Sequence, residues 1–291
     1  MRRSRQSRRV PALATRTPPQ AYFVVSAVFH YLGPAFAVLL FARVDVLGVA
    51  WLRIATAALL FAAWRRPWRE WGALDRGGRR LLVAWGVTLA VMNACFYMAI
   101  DRLPLGTVAA IEFLPVIALA ALGVRTLRNA AALALAVSGV YLVTGIRFES
   151  DPAGVAFAFV NATLFAAYIV LAHRAARLQP LTSVDALAVS MLIAGVVITP
   201  IGGWAAMPAM TDVVALAAGA GVGICSSVIP YVADQLAMRR LPRATYALMV
   251  ALLPATATVI GVVVLAQLPS PAEVTGVALV MAGVAAHESG A

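Results

Sequence analysis

Leu103-Pro104-Leu105-Gly106-Thr107-Val108-Ala109-Ala110-Ile111-Glu112-Phe113-Leu114-Pro115-Val116-Ile117-Ala118-Leu119-Ala120-Ala121-Leu122-Gly123 is the stretch whose reading decides the fold. A bilayer crossing takes about 20 apolar residues, and this run is long enough. It nevertheless carries one carboxylate and one interior proline. A carboxylate in hydrocarbon is costly, so it normally faces a partner or a water-filled path. Pro115 removes the helix hydrogen bond to the carbonyl of Ile111, next to Glu112. A charge and an unmet carbonyl therefore sit together in one bilayer-length helix. Interrupted helices of this kind line the midplane sites of secondary transporters.

The rest of the chain repeats the theme. Its 291 residues are 63% hydrophobic and only 12% charged, with a mean hydropathy of +0.90. A soluble domain with so little polar surface would aggregate. No sustained alternation supports a β-barrel. Apolar windows place ten helices at about 20–42, 46–64, 81–100, 104–124, 129–146, 153–173, 183–205, 213–236, 243–266 and 271–287. The expectation is an all-α polytopic membrane protein.

The net charge is +11 and every basic residue is arginine. The arginines cluster between apolar segments, which excludes a nucleic-acid reading. Residues 1–20 hold Arg2, Arg3, Arg5, Arg8, Arg9 and Arg16 with three prolines, the composition of a disordered tail. With that tail cytoplasmic and the helices alternating, nineteen arginines fall on the inner side. Only Arg43, Arg102 and Arg147 fall outside, and Arg53 lies within a helix. The bias places both termini in the cytoplasm of a cell whose inner membrane holds the protein. Cys95 and Cys225 lie in apolar segments and read as packing residues.

An internal repeat is visible. Tyr97-Met98-Ala99-Ile100-Asp101-Arg102-Leu103-Pro104 resembles Gln235-Leu236-Ala237-Met238-Arg239-Arg240-Leu241-Pro242, and Ser138-Gly139-Val140 parallels Ala282-Gly283-Val284. Each Leu-Pro precedes a helix with an interior proline, Pro115 or Pro254. Residues 21–146 and 153–287 are thus two five-helix halves. An odd number of crossings per half inserts the second half upside down, as an inverted repeat.

These features resemble the EamA-type branch of the drug/metabolite transporter superfamily over about residues 22–287. The matching parts are Leu52-Arg53-Ile54, Phe96 to Ile100 through Pro115, Ser226-Ser227-Val228-Ile229-Pro230-Tyr231 through Pro254, and Pro269 to Glu273 leading into Gly276 and Gly283. Ile111-Glu112-Phe113 and the Ser-x-x-Ile-Pro-Tyr segment are most similar to the threonine/homoserine exporter type. One departure stands out. The family often ends its fourth and ninth helices in Leu-Gly-Glu, where this chain has Leu122-Gly123-Val124-Arg125 and Leu265-Ala266-Gln267.

The candidate site follows from buried polar residues. Arg53 and Glu112 each lie roughly 10–12 Å below the outer surface at 1.5 Å per residue, so an ion pair between them is plausible. The pair either holds the first half together or meets the charges of a zwitterionic substrate, with Glu112 also able to take up a proton. Asn93 with Tyr97, Ser227 with Tyr231, and Asn161 with Phe165 and Tyr168 share helix faces that either line a cavity or join helices. Asp234 reads as solvated near a helix end. His30 lies mid-span. Pro34, Pro115, Pro230 and Pro254 free the carbonyls of His30, Ile111, Ser226 and Val250 and are candidate hinges. Gly219 to Gly223 reads as a close-packing face. No metal-ligand spacing and no nucleotide motif is present in the sequence, so neither metal nor cofactor is expected.

The resulting expectation is a transporter of small polar metabolites. The resemblance implies export of amino acids of the threonine/homoserine kind, with protons as a candidate coupling ion. An intramembrane enzyme would need convergent catalytic groups, whereas His30, His173 and His287 are far apart in sequence. A non-transporting membrane sensor is the other alternative.

Overall fold

The computed structural model describes residues 18–66, 68–72, 74–123, 126–148, 151–179, 181–230, 233 and 252–286. Every regular element among them is helical. The helices are α1 (Pro19–Leu40), α2 (Val46–Arg65), α3 (Arg76–Ile100), α4 (Leu105–Gly123), α5 (Leu127–Phe148), α6 (Pro152–Ala175), α7 (Ser183–Ile198), α8 (Val213–Gly223), α9 (Leu253–Leu265) and α10 (Pro271–Ala286). Two of them continue as π-helical turns, α7 through Thr199–Gly203 and α8 through Ile224–Val228. A four-residue helix, Trp68–Trp71, links α2 and α3.

α1, α2, α3, α6 and α7 with its extension are long and apolar enough to cross a membrane, and shorter apolar stretches run in α4, α5, α8, α9 and α10. The chain is a multi-pass membrane protein, all-helical among the described residues. α3 begins at Arg76, five residues before the apolar window at 81–100, because Asp75 caps it through the amide of Gly78 at 2.8 Å. A hydropathy window stops where that polar first turn begins.

Polar caps set most helix starts. Asp45 accepts from the amide of Leu47 and Asp151 from that of Gly154. Thr182 and Asp185 form a reciprocal capping box at α7. Asp212 accepts from the amides of Ala215 and Val214 and sits 3.3 Å from Arg43. Those amides, aided by the guanidinium, hold its carboxyl below the usual carboxylate range. The interval from Asp45 to Asp75 equals that from Thr182 to Asp212.

The core is packed helix against helix through small residues. α2 and α7 run antiparallel: Gly48 meets Ala205 and Ala206, Ala58 meets Gly195, and Arg65 pairs with Asp185 at 2.6 Å. α5 and α10 also run antiparallel, with Gly139 against Gly276 and Gly283 against Ala132 and Ala136. Two further crossings repeat one another. A Cβ on Gly86 of α3 would lie 2.6 Å from Ile193 and 2.8 Å from the carbonyl oxygen of Ser190. A Cβ on Gly223 of α8 would lie 2.7 Å from Thr56 and 2.9 Å from the carbonyl oxygen of Arg53. One sequence interval carries Gly86 to Gly223, Arg53 to Ser190, Thr56 to Ile193, Ala58 to Gly195 and Asp45 to Thr182. The close-packing face expected at Gly219 to Gly223 is present at Gly219, which meets Leu52, and at Gly223, whereas Gly221 meets nothing within 4 Å.

Candidate functional site

The centre of the bundle gathers α1, α2, α3, α4, α6 and α8. α2 brings Arg53, and the glycine at 223 lets α8 approach its backbone. Beyond Gly223 the helix widens into the π turn that contains Ser226 and Ser227, both buried. Such turns rotate side chains out of the regular α register and recur at functional sites. On its other side Ser226 lies against Gly33 of α1, where no side chain could fit.

Arg53 reaches into this turn. Its Nε donates to Ser227 Oγ at 3.3 Å and an Nη donates to the Ser226 carbonyl at 3.4 Å. In a regular α-helix that carbonyl would accept from position 230, where Pro230 has no N–H. The guanidinium lies over the Tyr97 ring, 5.5 Å from its centroid, a cation–π placement that fixes its direction. The Tyr97 hydroxyl lies beside Arg53 and Ser226, but it forms no hydrogen bond of good geometry among the described residues, and neither does Ser226 Oγ.

Glu112 is 8% exposed. Its Oε1 accepts from Asn161 Nδ2 of α6 at 3.0 Å. Asn161 is fully buried, and its Oδ1 has no partner among the described residues. The expected Arg53–Glu112 ion pair is not formed. Arg53 turns towards α8 and Glu112 towards α6. They remain within electrostatic reach of one another, as Arg53 does of His30.

The other candidates divide. Asn93 donates to the carbonyl of Leu89, one turn back in its own helix, at 2.8 Å. His30 packs edge-on against Tyr31 with ring centroids 5.2 Å apart. Tyr168 stacks on Phe165 at 6.1 Å and abuts Trp85 at 5.7 Å. Ser227 meets Arg53, while Tyr231 and Asp234 lie outside the described residues. Pro34 and Pro115 sit inside α1 and α4, and the carbonyl of Pro230 accepts from Ser26 at 3.3 Å. Pro254 lies in the first turn of α9, and the carbonyl it would free, that of Val250, is outside the described residues. Sequence reasoning passed over two residues. Asn161 showed only as a polar residue on the α6 face, and Ser226 only as the carbonyl before Pro230.

A second polar group closes one end of the bundle. Glu273 accepts from the Ser270 amide at 2.8 Å and from the Thr107 hydroxyl at 3.5 Å. Gln267 Oε1 accepts from the Leu105 amide at 3.0 Å, capping α4. Thr107, Gln267 and Glu273 line a small cavity with Gly106 and Thr258.

Residues 152–286 match the EamA-like transporter family. The threonine/homoserine exporter RhtA of Escherichia coli (strain K12) is 31% identical over 254 residues, 86% of this chain and 84% of that protein. RhtA of Salmonella typhimurium (strain LT2) is 32% identical over 239 residues, 81% of this chain and 79% of that protein. A crystal structure 17% identical in sequence has the same fold, with a TM-score of 0.56 over 92% of this chain and 96% of its own.

Proposed function

The chain belongs to the EamA-like transporter family, and from that premise we propose that it exports small amino acids across a bacterial inner membrane. Ten crossings form two inverted five-helix halves, both termini are cytoplasmic, and the halves rock so that one central site opens to each side in turn. The single observation that carries this reading is the midspan pair of polar groups, Arg53 with Ser226, Ser227 and Tyr97, and Glu112 with Asn161, buried inside an otherwise apolar bundle. Intramembrane ionisable residues mark substrate and ion paths.

The packing supports the inverted arrangement. A two-fold relation between the halves predicts that equivalent helices cross antiparallel and that each contact has a twin. α2 crosses α7 in that way, Ala58 meeting its own counterpart Gly195, and the Gly86 and Gly223 crossings are twins. The ion pairs support the alternation. Arg43–Asp212 and Arg102–Asp151 join turns that this topology puts outside, and Arg65–Asp185 joins turns that it puts inside. The arginine bias assigns the sides.

Counterflow of labelled L-threonine in proteoliposomes tests the function. Exchange by the unaltered protein, stimulated by a proton gradient and abolished by uncoupler, is the expected result. Exchange indifferent to both would remove the proton from the mechanism, and absence of exchange for L-threonine, L-serine and L-homoserine alike would remove the amino-acid assignment.

A further inference from the structure

The polar atoms at the centre sort by chemistry. Arg53 has five N–H donors, and its contacts at 3.3 Å and 3.4 Å occupy two of them. No carboxylate is in ion-pair contact with it among the described residues. The buried hydroxyls of Tyr97 and Ser226 add donors beside it. On the α4 and α6 side stand acceptors. The Glu112 carboxylate has one oxygen on the Asn161 amide and a second to offer. The Asn161 carbonyl oxygen can only accept, and nothing among the described residues donates to it.

Buried polar atoms without partners are scarce in folded proteins, because each forfeits a hydrogen bond. Five side-chain atoms among the described residues are in that state, and three of them, Tyr97 OH, Ser226 Oγ and Asn161 Oδ1, belong to this cluster. The concentration of unmet donors at one end and unmet acceptors at the other describes a ligand of opposite polarity.

We infer that the site holds a zwitterionic α-amino acid in one orientation, its carboxylate on Arg53, Ser226 and Tyr97 and its ammonium on Glu112 and Asn161. This inference rests on the transporter reading above. The separation of the two protein charges is part of the design. Arg53 and Glu112 in direct contact would satisfy one another and leave nothing for a ligand. Held apart, each meets the opposite charge of a head group whose two ends are joined through a single carbon. Asn161 has two functions in this arrangement. Its amide N–H fixes one oxygen of Glu112, and its carbonyl receives the ammonium beside the other oxygen.

The test uses the full chain in proteoliposomes, exchanging labelled L-threonine against three unlabelled compounds. These are L-threonine itself, 1-amino-2-propanol, which lacks the carboxylate, and 3-hydroxybutanoate, which lacks the ammonium. A site built to hydrogen-bond both groups rejects either truncated compound by about 100-fold or more. Arg53→Gln narrows the gap between L-threonine and the amine. Asn161→Ala narrows the gap between L-threonine and the hydroxy acid. A merely structural role for either residue would change total exchange without this selective pattern.

Either truncated compound competing as well as L-threonine in the unaltered protein overturns the inference while leaving the exporter reading intact. So does a crossed pattern, in which Arg53→Gln favours the hydroxy acid. Failure of the unaltered protein to exchange any amino acid removes the exporter reading and this inference with it. If Arg53→Gln does not fold, the unaltered protein and Asn161→Ala still decide the outcome.

Discussion

Two buried polar clusters in this bundle are finished differently. Where α4 meets the α9–α10 turn, Glu273 is 3% exposed, and its carboxylate takes the Ser270 amide and the Thr107 hydroxyl while Gln267 takes the Leu105 amide. The Thr107 and Leu105 contacts tie α4 to the α9–α10 turn, and the Ser270 contact caps α10 itself. At the bundle centre, Glu112 is also buried on Asn161, whose amide oxygen has no partner among the described residues, and the Tyr97 and Ser226 hydroxyls beside Arg53 form no hydrogen bond of good geometry there. Burial and charge are the same in both places. The difference lies in whether the surrounding atoms are used up. A filled cluster is a clamp, and an open one is a receptor for something the chain does not supply.

Substituting the carboxylate of each cluster breaks the comparison most directly. Glu112→Gln removes a charge that a ligand needs, at about 1.5–3 kcal/mol for a hydrogen bond to a charged group. Exchange of L-threonine should fall by about 10- to 100-fold, with the melting temperature in detergent little changed. Glu273→Ala should do the reverse. It strands the Ser270 amide and the Thr107 hydroxyl, a loss of about 1–3 kcal/mol in stability, while exchange per folded molecule stays level. A well-folded Glu273→Ala protein without transport would mean that the clamp is part of the site.

How much of this was legible in the sequence follows from the range of the forces involved. Helix positions were readable because the bilayer imposes a length on every apolar run. The second Leu-Pro, Leu241-Pro242, lies outside the described residues, whereas the glycines at 139 and 283 were readable because closely packed helices demand small residues where their backbones meet. The start of α3 at Arg76 was not, since a cap at Asp75 extends the helix into polar sequence that hydropathy discounts. Glu112 and Arg53 stood out as ionisable residues in apolar helices. Their partners did not. Depth along a helix is linear in sequence, but the direction a side chain faces depends on how distant helices rotate against each other. Asn161 meets Glu112 through such a rotation, and Ser226 meets Arg53 only after the π turn shifts its register.

The twin glycine crossings sharpen the comparison at a lower level. Alanine at 86 and alanine at 223 impose nearly the same clash, with new methyls 2.6 Å and 2.7 Å from the facing helix. Each should cost about 1–3 kcal/mol by overpacking. Gly86 faces Ser190 and Ile193, which belong to no open cluster, whereas Gly223 faces the carbonyl of Arg53 itself. Gly86→Ala should therefore lower the melting temperature and leave exchange per folded molecule alone. Gly223→Ala should lower both, because displacing α8 moves Ser226 and Ser227 relative to the guanidinium. Equal transport in the two variants would show that the receptor tolerates movement of its donor wall.

The smallest expected effect comes from the filled cluster, and its sign is positive. α9 ends in a turn where the amides of Ala266 and Gln267 both donate to the carbonyl of Gly261 and Ala266 adopts φ 55°. A left-handed residue at that place favours glycine, and a Cβ costs about 1 kcal/mol or slightly more. Ala266→Gly should relieve that strain and raise the melting temperature. Glycine also loosens the unfolded chain, so the net gain should be a fraction of the strain removed. Gln267 then still presents Oε1 to the Leu105 amide, because the turn that aims it is unchanged. Transport should be unaltered if this end of the bundle is only a clamp. A variant more stable yet slower in exchange would mean that the strained turn is a moving part, and that the filled cluster opens during the cycle as the central one closes.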